Sequence, residues 1–540
     1  MIPLQGKGAS PGIAIGKLTF MERTHYSVEK LPVVDVSGEI ERFNAAKETA
    51  VTQLRELSKT TTEKIGEENA RLFEVHGMML QDPDLIGPIE KIIREQRICA
   101  EYAVMEAGSV LAEEFAAMDD DYMKSRAADI RDVANRVIAI LSGTWLDVTE
   151  GSDPVILAAE DFSPSETVQF DRSKVLALVS RSGAANSHTA IFACTMGIPA
   201  IIGLGPSLSP GLAGMTAAAD GETGVLCIEP EQEVIAEFKK KHAQNERERR
   251  ELEKYRGKET VSSGGRKIGL FANIGSVADV EAALLGDAEG IGLFRSEFLY
   301  LGREDYPDEE TQYGAYKQAL EEMRGRQVII RTLDIGADKK AAYFGLPAEE
   351  NPALGMRAIR ICLTRPELFK TQLRAIYRAS VYGNAAIMFP MIDSVSELRR
   401  AKAIAREVME ELAEKKLLFN ENVPVGIMIE TPAAAIISDL LAKEADFFSI
   451  GTNDLTQYTL AIDRQNDSLS EFCDIHHEAI LRLIRLTCEN AHKAGIPVGI
   501  CGSLGADKTL TRFFLETGID ELSVEPSRIL SLRKLVAGLD

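Results

Sequence analysis

The sequence predicts a multidomain α/β protein. An N-terminal α/β unit is interrupted by an inserted all-α helical bundle, and a linker helix then leads to a C-terminal (β/α)8 TIM-type barrel. Three observations predict this. The 540 residues have room for about three to five units of ordinary domain size. Between residues 35 and 145 apolar residues recur at helical spacing, with Pro almost absent. Beyond residue 260 eight apolar runs alternate with helix-like segments, which is the texture of a parallel sheet at the size of a closed barrel.

Composition narrows the function. With 45% hydrophobic and 27% charged residues, the chain is globular rather than disordered. Its 61 basic and 83 acidic side chains give a net charge of −22. A general nucleic-acid coat needs the opposite sign, whereas an acidic surface suits a basic partner. Seven cysteines without a C-x-x-C pair argue against a disulfide framework or a thiolate zinc site and fit a reducing, cytoplasmic location. The start, MIPLQGKGASPGIAIGK, lacks the layout of a signal peptide. Ser182 to Ala219 holds no charged residue, but Pro199, Pro206 and Pro210 break it. It therefore gives no membrane-inserting span.

Residues 1–34 and 146–230 form the α/β unit. It opens with a short apolar strand and a Ser-Pro-Gly turn at 10–12, and resumes with PVILAA, KVLALVS, PAIIGL and GVLCI. Residues 35–145 form the bundle, with Ile65, Leu72, Phe73, His76 and Leu80 on one face. Pattern alone makes such a bundle structural. Residues 231–259 are charge-dense and helix-forming, with both signs interspersed, as in a solvated linker helix. Residues 260–540 carry the runs KIGLFANI, GIGLFR, QVIIRTLD, AAIMFPMI, VGIMIE, FFSIGTND, PVGICG and ELSVE. An open doubly wound sheet is the alternative on pattern alone.

In a barrel, strand ends and the loops after them build the site. The second run ends in Arg295, followed by Ser296 and Glu297; the third carries Arg331 and reaches Asp334. The fifth ends in Glu430, the sixth in Asn453 and Asp454, and the seventh in Cys501. Arginines converging on a rim call for a phosphate or carboxylate. Glu430 and Asp454 offer hard oxygens on adjacent strands, which suits Mg²⁺. Singly, each reads as a structural ion pair; together they read as an anion site, to which Arg357, Arg360 and Arg464 add charge. GSLGADKT lacks the Gly-Lys of a P-loop, and no G-x-G-x-x-G run lies between strand and helix. In the uncharged stretch, His188 stands among small residues. Its imidazole, with an unperturbed pKa of about 6.5, is a nucleophile near neutrality. A helix beginning near Thr189 would favour a transferred phosphoryl group. A lone histidine of this kind is more often structural.

Two segments carry a resemblance. GAANSHTA at 183–190 resembles the phosphohistidine motif of the phosphoenolpyruvate-utilising enzymes, and DFFSIGTNDLTQYTLAIDR at 446–464 resembles their second signature. ASPGIAIGK, RLFEVHGMMLQDPDL, SRAADIRDVANRV, GLFRSEFLY, RTLDIGADK, EENPALGMRAIR, GIMIETPAAA and CGSLGAD extend the likeness over essentially the whole chain. Within that group it is similar to the phosphoenolpyruvate–protein phosphotransferases, Enzyme I of the sugar phosphotransferase system.

The resemblance implies that His188 takes the phosphoryl group from phosphoenolpyruvate and that Cys501 protonates the enolate to give pyruvate. It implies substrate binding by Arg295, Arg331, Arg357, Asn453 and Arg464, and Mg²⁺ held by Glu430 and Asp454. It implies an HPr-type phosphocarrier docked on the bundle, with Glu67, Glu68, Met78 and Arg126 in the matching region. A swing of the phosphohistidine unit about the linker helix and a homodimer through the barrel are further implications. The chain departs from the family at Ala184, Ala185 and Asn186, where a basic side chain is lost, at Cys194 in place of Arg, and at Ser503 in place of an acid. These changes leave a regulatory or divergent Enzyme I-like relay with a non-HPr acceptor as the alternative. A pyruvate phosphate dikinase would need an ATP-binding domain for which 540 residues leave no room.

Overall fold

The computed structural model describes the chain apart from residues 22–27, 66, 118–120, 144–152, 163, 168–169, 171–172, 184–187, 302, 304, 337–341, 348 and 465. Two compact units result, Met1–Arg249 and Arg250–Asp540, with the division inside the helix Gln232–Glu253.

The first unit is built on one sheet. Its strands are β1 (Ile2–Gln5), β2 (Lys7–Ser10), β3 (Ile13–Phe20), β4 (Val155–Ala159), β5 (Val175–Ser180), β6 (Ala200–Ile202), β7 (Thr216–Asp220) and β8 (Val225–Ile228). They lie in the order β1-β8-β7-β3-β4-β5-β6-β2. The run β3 to β6 is parallel, and the flanking pairs are antiparallel. The connection from β3 to β4 contains the bundle helices α1 (Val36–Ile65), α2 (Glu67–Met79), α3 (Pro83–Gln96), α4 (Ala100–Ala117) and α5 (Asp121–Ser142). Local chemistry sets one boundary: Asp82 caps α3 by accepting from the Asp84 amide at 2.9 Å, with Pro83 in the first turn. The bundle buries Phe43, Leu54, Phe73, Ile93, Val133 and Val137 in a core of its own.

The second unit is a closed barrel of eight parallel strands. They are β9 (Gly269–Ile274), β10 (Ile291–Arg295), β11 (Gln327–Arg331), β12 (Asn384–Phe389), β13 (Val425–Ile429), β14 (Phe448–Gly451), β15 (Val498–Cys501) and β16 (Glu521–Val524). The eight apolar runs of the sequence are these strands. Their outward residues, such as Ile330, Ile387, Ile427 and Ile500, pack into the layer of surrounding helices. Leu293, Ile329, Met388 and Met428 fill the interior instead. β10 to β13 are thus apolar on both faces over most of their length, which is why those runs are continuous rather than alternating.

Candidate active site

The barrel mouth is a cavity of about 1370 Å³ whose lining includes Arg295, Arg331, Asp334, Arg357, Asn453, Asp454 and Arg464. Register explains the convergence. Arg295 and Arg331 are paired on β10 and β11, and Gly451 and Cys501 on β14 and β15. Paired residues of neighbouring parallel strands face the same way.

Buried ion pairs orient the arginines. Arg331 donates to Glu297 Oε1 at 2.5 Å and lies 2.9 Å from Asp334 Oδ2. Arg357 reaches Asp334 Oδ1 at 2.9 Å and Asp454 Oδ1 at 3.2 Å, and donates to the Tyr458 hydroxyl at 3.0 Å. Tyr458 in turn donates to the Ala353 carbonyl, fixing the neighbouring loop. Burial opposes both charges, but the carboxylates beside them prevail and raise both guanidiniums above the ordinary Arg value. Donors are left over: the Nε atoms of Arg295, Arg331 and Arg357 are buried without a hydrogen-bond partner among the described residues. Arg295 instead lies over the Phe298 ring at 5.5 Å. Arg464 lies 3.7 Å from Asp454 Oδ2 and is more exposed.

Glu430 stands just past β13, buried, with Oε1 accepting from the Met391 amide at 2.6 Å. Its other oxygen is buried without a partner among the described residues. Burial, then Asp454 and Asp334, push this carboxyl up to about 8 against the pull of Arg331 and Arg357. A crowded carboxylate with a free oxygen fits a hard cation. Among the described residues no three His, Cys, Asp or Glu side chains cluster as a metal site, so substrate or water oxygens would have to complete the shell. A Cβ on Gly451 would come within 3.0 Å of the Glu430 Cβ, so glycine makes room there.

Cys501 ends β15, buried, and accepts from the Ser449 hydroxyl at 3.2 Å. Burial pushes its thiol up to about 12, helped by Glu430 and Glu521. It is therefore held as a protonated acid rather than a thiolate nucleophile. The next residue, Gly502, has φ +106°, and a Cβ there would meet Thr452 Oγ1 at 2.6 Å. Only glycine fits that turn without strain. Beyond it, Ser503 donates to Asn453 Oδ1 from its amide at 3.0 Å and from its hydroxyl at 2.8 Å. This pair fixes the carboxamide and leaves its N–H groups for the cavity.

In the first unit, the helix His188–Met196 follows β5. The connecting segment is tied down at its start: the Arg181 amide donates to Ala159 O at 3.1 Å and the Ser182 amide to Glu160 O at 2.9 Å. Phe192 anchors the helix in the bundle core, and Ala193 packs against the sheet. Cys194 donates to the Ala9 carbonyl at 3.0 Å. Ala184, Ala185 and Asn186 lie outside the described residues, as do the side chains of His188, Glu67 and Glu68. Met78 on α2 is 69% exposed, beside a groove of about 450 Å³ that also carries Arg55, Lys59 and Glu74. The described part of this surface is mixed in charge rather than acidic. Arg126 pairs with Asp129 at 2.9 Å.

Sequence reasoning noted Glu297 and Asp334 but gave them no role, and passed over Tyr458. Their work is to aim Arg331 and Arg357, and apart from the Arg331–Asp334 pair these contacts join residues far apart in the chain.

Known proteins match over the full length. The chain is 43% identical to a phosphoenolpyruvate-protein phosphotransferase of Priestia megaterium, over 99% of this chain and 94% of that one. The chain belongs to the phosphoenolpyruvate–protein phosphotransferase family. The protein of that name from Bacillus subtilis (strain 168) is 42% identical over 100% of this chain and 95% of its own. The family model for the PEP-binding domain of PEP-utilising enzymes matches residues 249–540. Those for the N-terminal region and the mobile domain match 5–126 and 151–224. A solution structure of Enzyme I (nEIt) aligns at 34% identity with 45% of this chain and 99% of its own, with a TM-score of 0.38. Among the described residues no helix is long and apolar enough to cross a membrane.

Proposed function

We propose that this member of the family moves the phosphoryl group of phosphoenolpyruvate onto His188, releases pyruvate, and passes the group to a histidine of an HPr-type phosphocarrier. Family membership supports the reaction class. The observation that carries the residue assignment is the convergence at one barrel rim of unsatisfied guanidinium donors, a buried carboxylate with a free oxygen, and a protonated thiol.

Arg295, Arg331, Arg357 and Arg464 bind the phosphate and carboxylate of the substrate, and the Asn453 amide adds a donor. Their ion pairs hold them in place before substrate arrives, so little reorganisation is needed as charge shifts. Glu430 and Asp454 would hold Mg²⁺, which when bound supplies neutralising charge for the phosphate and the enolate oxygen. Phosphoryl transfer breaks the bond between the enol oxygen and phosphorus and forms one from phosphorus to a nitrogen of His188. The enolate left behind takes a proton from Cys501 at its terminal carbon and becomes pyruvate. The carrier docks on the bundle, with Met78 as its exposed apolar anchor. Barrel-mediated homodimerisation and motion of the His188 unit about the helix Gln232–Glu253 complete the proposal.

The test is intact-mass measurement after adding phosphoenolpyruvate and Mg²⁺, with His188→Ala in parallel. One acid-labile phosphoryl adduct, lost in the variant, is expected. An adduct that persists in the variant removes His188 from the assignment. A panel of small histidine carriers then reads the acceptor, and transfer only to proteins unlike HPr would favour the regulatory alternative.

A further inference from the structure

The helix Pro366–Ala379 buries an apolar face of Phe369, Leu373 and Ile376 in the barrel core. Gln372 stands on the same face and is equally buried. A leucine would fill that space with no polar group to desolvate, so the carboxamide is held there against a cost. It is fully engaged. Its Oε1 accepts from the Leu333 amide at 2.9 Å. Its Nε2 donates to Ser296 Oγ at 2.9 Å and to the Tyr316 hydroxyl at 3.1 Å. Because a backbone N–H can only donate, these partners allow the carboxamide one orientation. The chain of bonds continues: Tyr316 donates to Gln312 Oε1 at 3.3 Å, and Gln312 Nε2 donates to the Pro307 carbonyl at 3.0 Å. Ser296, Tyr316 and Gln312 are all buried, and a satisfied buried network of this kind is rigid.

The two points that Gln372 ties together belong to the barrel mouth. Ser296 lies between Arg295, the last residue of β10, and Glu297; Leu333 immediately precedes Asp334. Glu297 and Asp334 hold Arg331 through separate nitrogens, at 2.5 Å and 2.9 Å. The ladder between β10 and β11 ends at the pair Arg295 and Arg331, so beyond that point it no longer keeps the two segments in register. One planar amide, reaching in from a helix outside the strands, spans them instead.

We propose that Gln372 is a positioning residue for phosphoenolpyruvate binding. It acts through the Ser296 hydroxyl and the Leu333 amide, which set the spacing of Glu297 and Asp334 and so the aim of Arg331. This rests on Arg331 being a substrate arginine, as proposed above.

The test is phosphoenolpyruvate–pyruvate exchange with Mg²⁺, followed with labelled pyruvate, alongside melting curves. Gln372→Leu keeps the volume and removes both ties. It should raise the half-saturating phosphoenolpyruvate concentration about tenfold and change the maximal exchange rate less than about threefold. Ser296→Ala removes one tie and should shift that concentration in the same direction, by about two- to threefold. A merely structural amide would lower the melting temperature and leave the concentration alone, so an unaltered value in folded Gln372→Leu overturns the proposal. If Gln372→Leu does not fold, an unaltered value in Ser296→Ala overturns it instead. Arg331→Lys keeps the charge but loses the planar fork. In that background Gln372→Leu should add less than about threefold, because the two changes act on one interaction. A full tenfold addition would mean that the amide works elsewhere, and would also overturn the proposal. If Arg331→Lys alone saturates like the unaltered protein, Arg331 is not a substrate arginine and the earlier reading fails instead.

Discussion

Two carboxyl groups of the same barrel, one buried and one half-buried, are pushed up to about 8 in different surroundings. Glu430, just past β13 at the mouth, is surrounded by charge: Asp454 and Asp334 raise it while Arg331 and Arg357 pull it down. Glu521, at the start of β16, meets burial and two carboxylates with no guanidinium among its causes. The first has an unpartnered oxygen among charged ligands and is suited to a cation. The second lies between two glycines, with no cation beside it, and is suited to keeping a proton. Equal pKa values do not imply equal chemistry; what lies within a few ångströms decides it.

The sharpest way to break this comparison is Glu430→Gln. If Glu430 holds the metal as proposed, its loss forfeits charge stabilisation where the phosphate and enolate would lie, so His188 labelling should slow on the order of 100-fold or more. Half-saturation in Mg²⁺ should rise with it, whereas Glu521→Gln should keep its ordinary Mg²⁺ dependence. Labelling rates across a Mg²⁺ titration read both. An unaltered half-saturation in Glu430→Gln would sink the metal assignment.

Asp334→Asn comes next. Asp334 receives both Arg331 and Arg357 at 2.9 Å, so its charge aims at once two arginines proposed to bind substrate. Breaking a buried pair from one side typically costs about 3–5 kcal/mol. Part of that should appear as a lower melting temperature and part as a KM for phosphoenolpyruvate raised on the order of tenfold, with kcat changed less. Steady-state kinetics decides it: a lowered KM would mean that freeing the guanidinium charge matters more than directing it.

These residues also mark how far the sequence was legible. Arg295, Glu430, Asp454 and Cys501 could be read because each sits where a continuous apolar run stops, and the barrel rule assigns such ends to one rim. Glu297 and Tyr458 could not be ranked, because their arginine partners lie far away in the chain; Asp334 stands three residues from Arg331, but its second partner, Arg357, comes from a later loop. Glu521 passed as part of the strand ELSVE, since a carboxylate at the start of a strand normally faces water. Only the glycines at 292 and 499, set opposite it by strand pairing, show that it turns inward. For the bundle, periodicity gave the helices but not the charge of the groove beside Met78, which Arg55 and Lys59 also line.

A smaller effect separates the two carboxyl groups by stability. The folded-state pKa of Glu521, about 8, lies above its ordinary 4.5. Between those values the folded chain keeps a proton that the unfolded chain has released, so stability falls as pH rises through that window. Above it the whole penalty is present, at most a few kcal/mol. Glu521→Gln has no such group. Its melting temperature should match the unaltered protein near pH 4.5 and exceed it by several degrees at pH 9. Parallel melting curves against pH would place the carboxyl in water.

The smallest expected effect is at Ser503. The Asn453 carboxamide oxygen accepts from both the Ser503 amide and hydroxyl, and a side-chain change removes only the second. One hydrogen bond of this kind is worth about 1 kcal/mol, so Ser503→Ala should raise the KM for phosphoenolpyruvate by less than about tenfold, with little change in kcat. Ser503→Glu restores the acid common in the family but supplies no donor, and its charge would stand beside the substrate-binding face. It should bind phosphoenolpyruvate less well than Ser503→Ala. If the two variants bind equally, the backbone amide alone orients Asn453, and the hydroxyl at 503 is only the tolerated replacement of an acid.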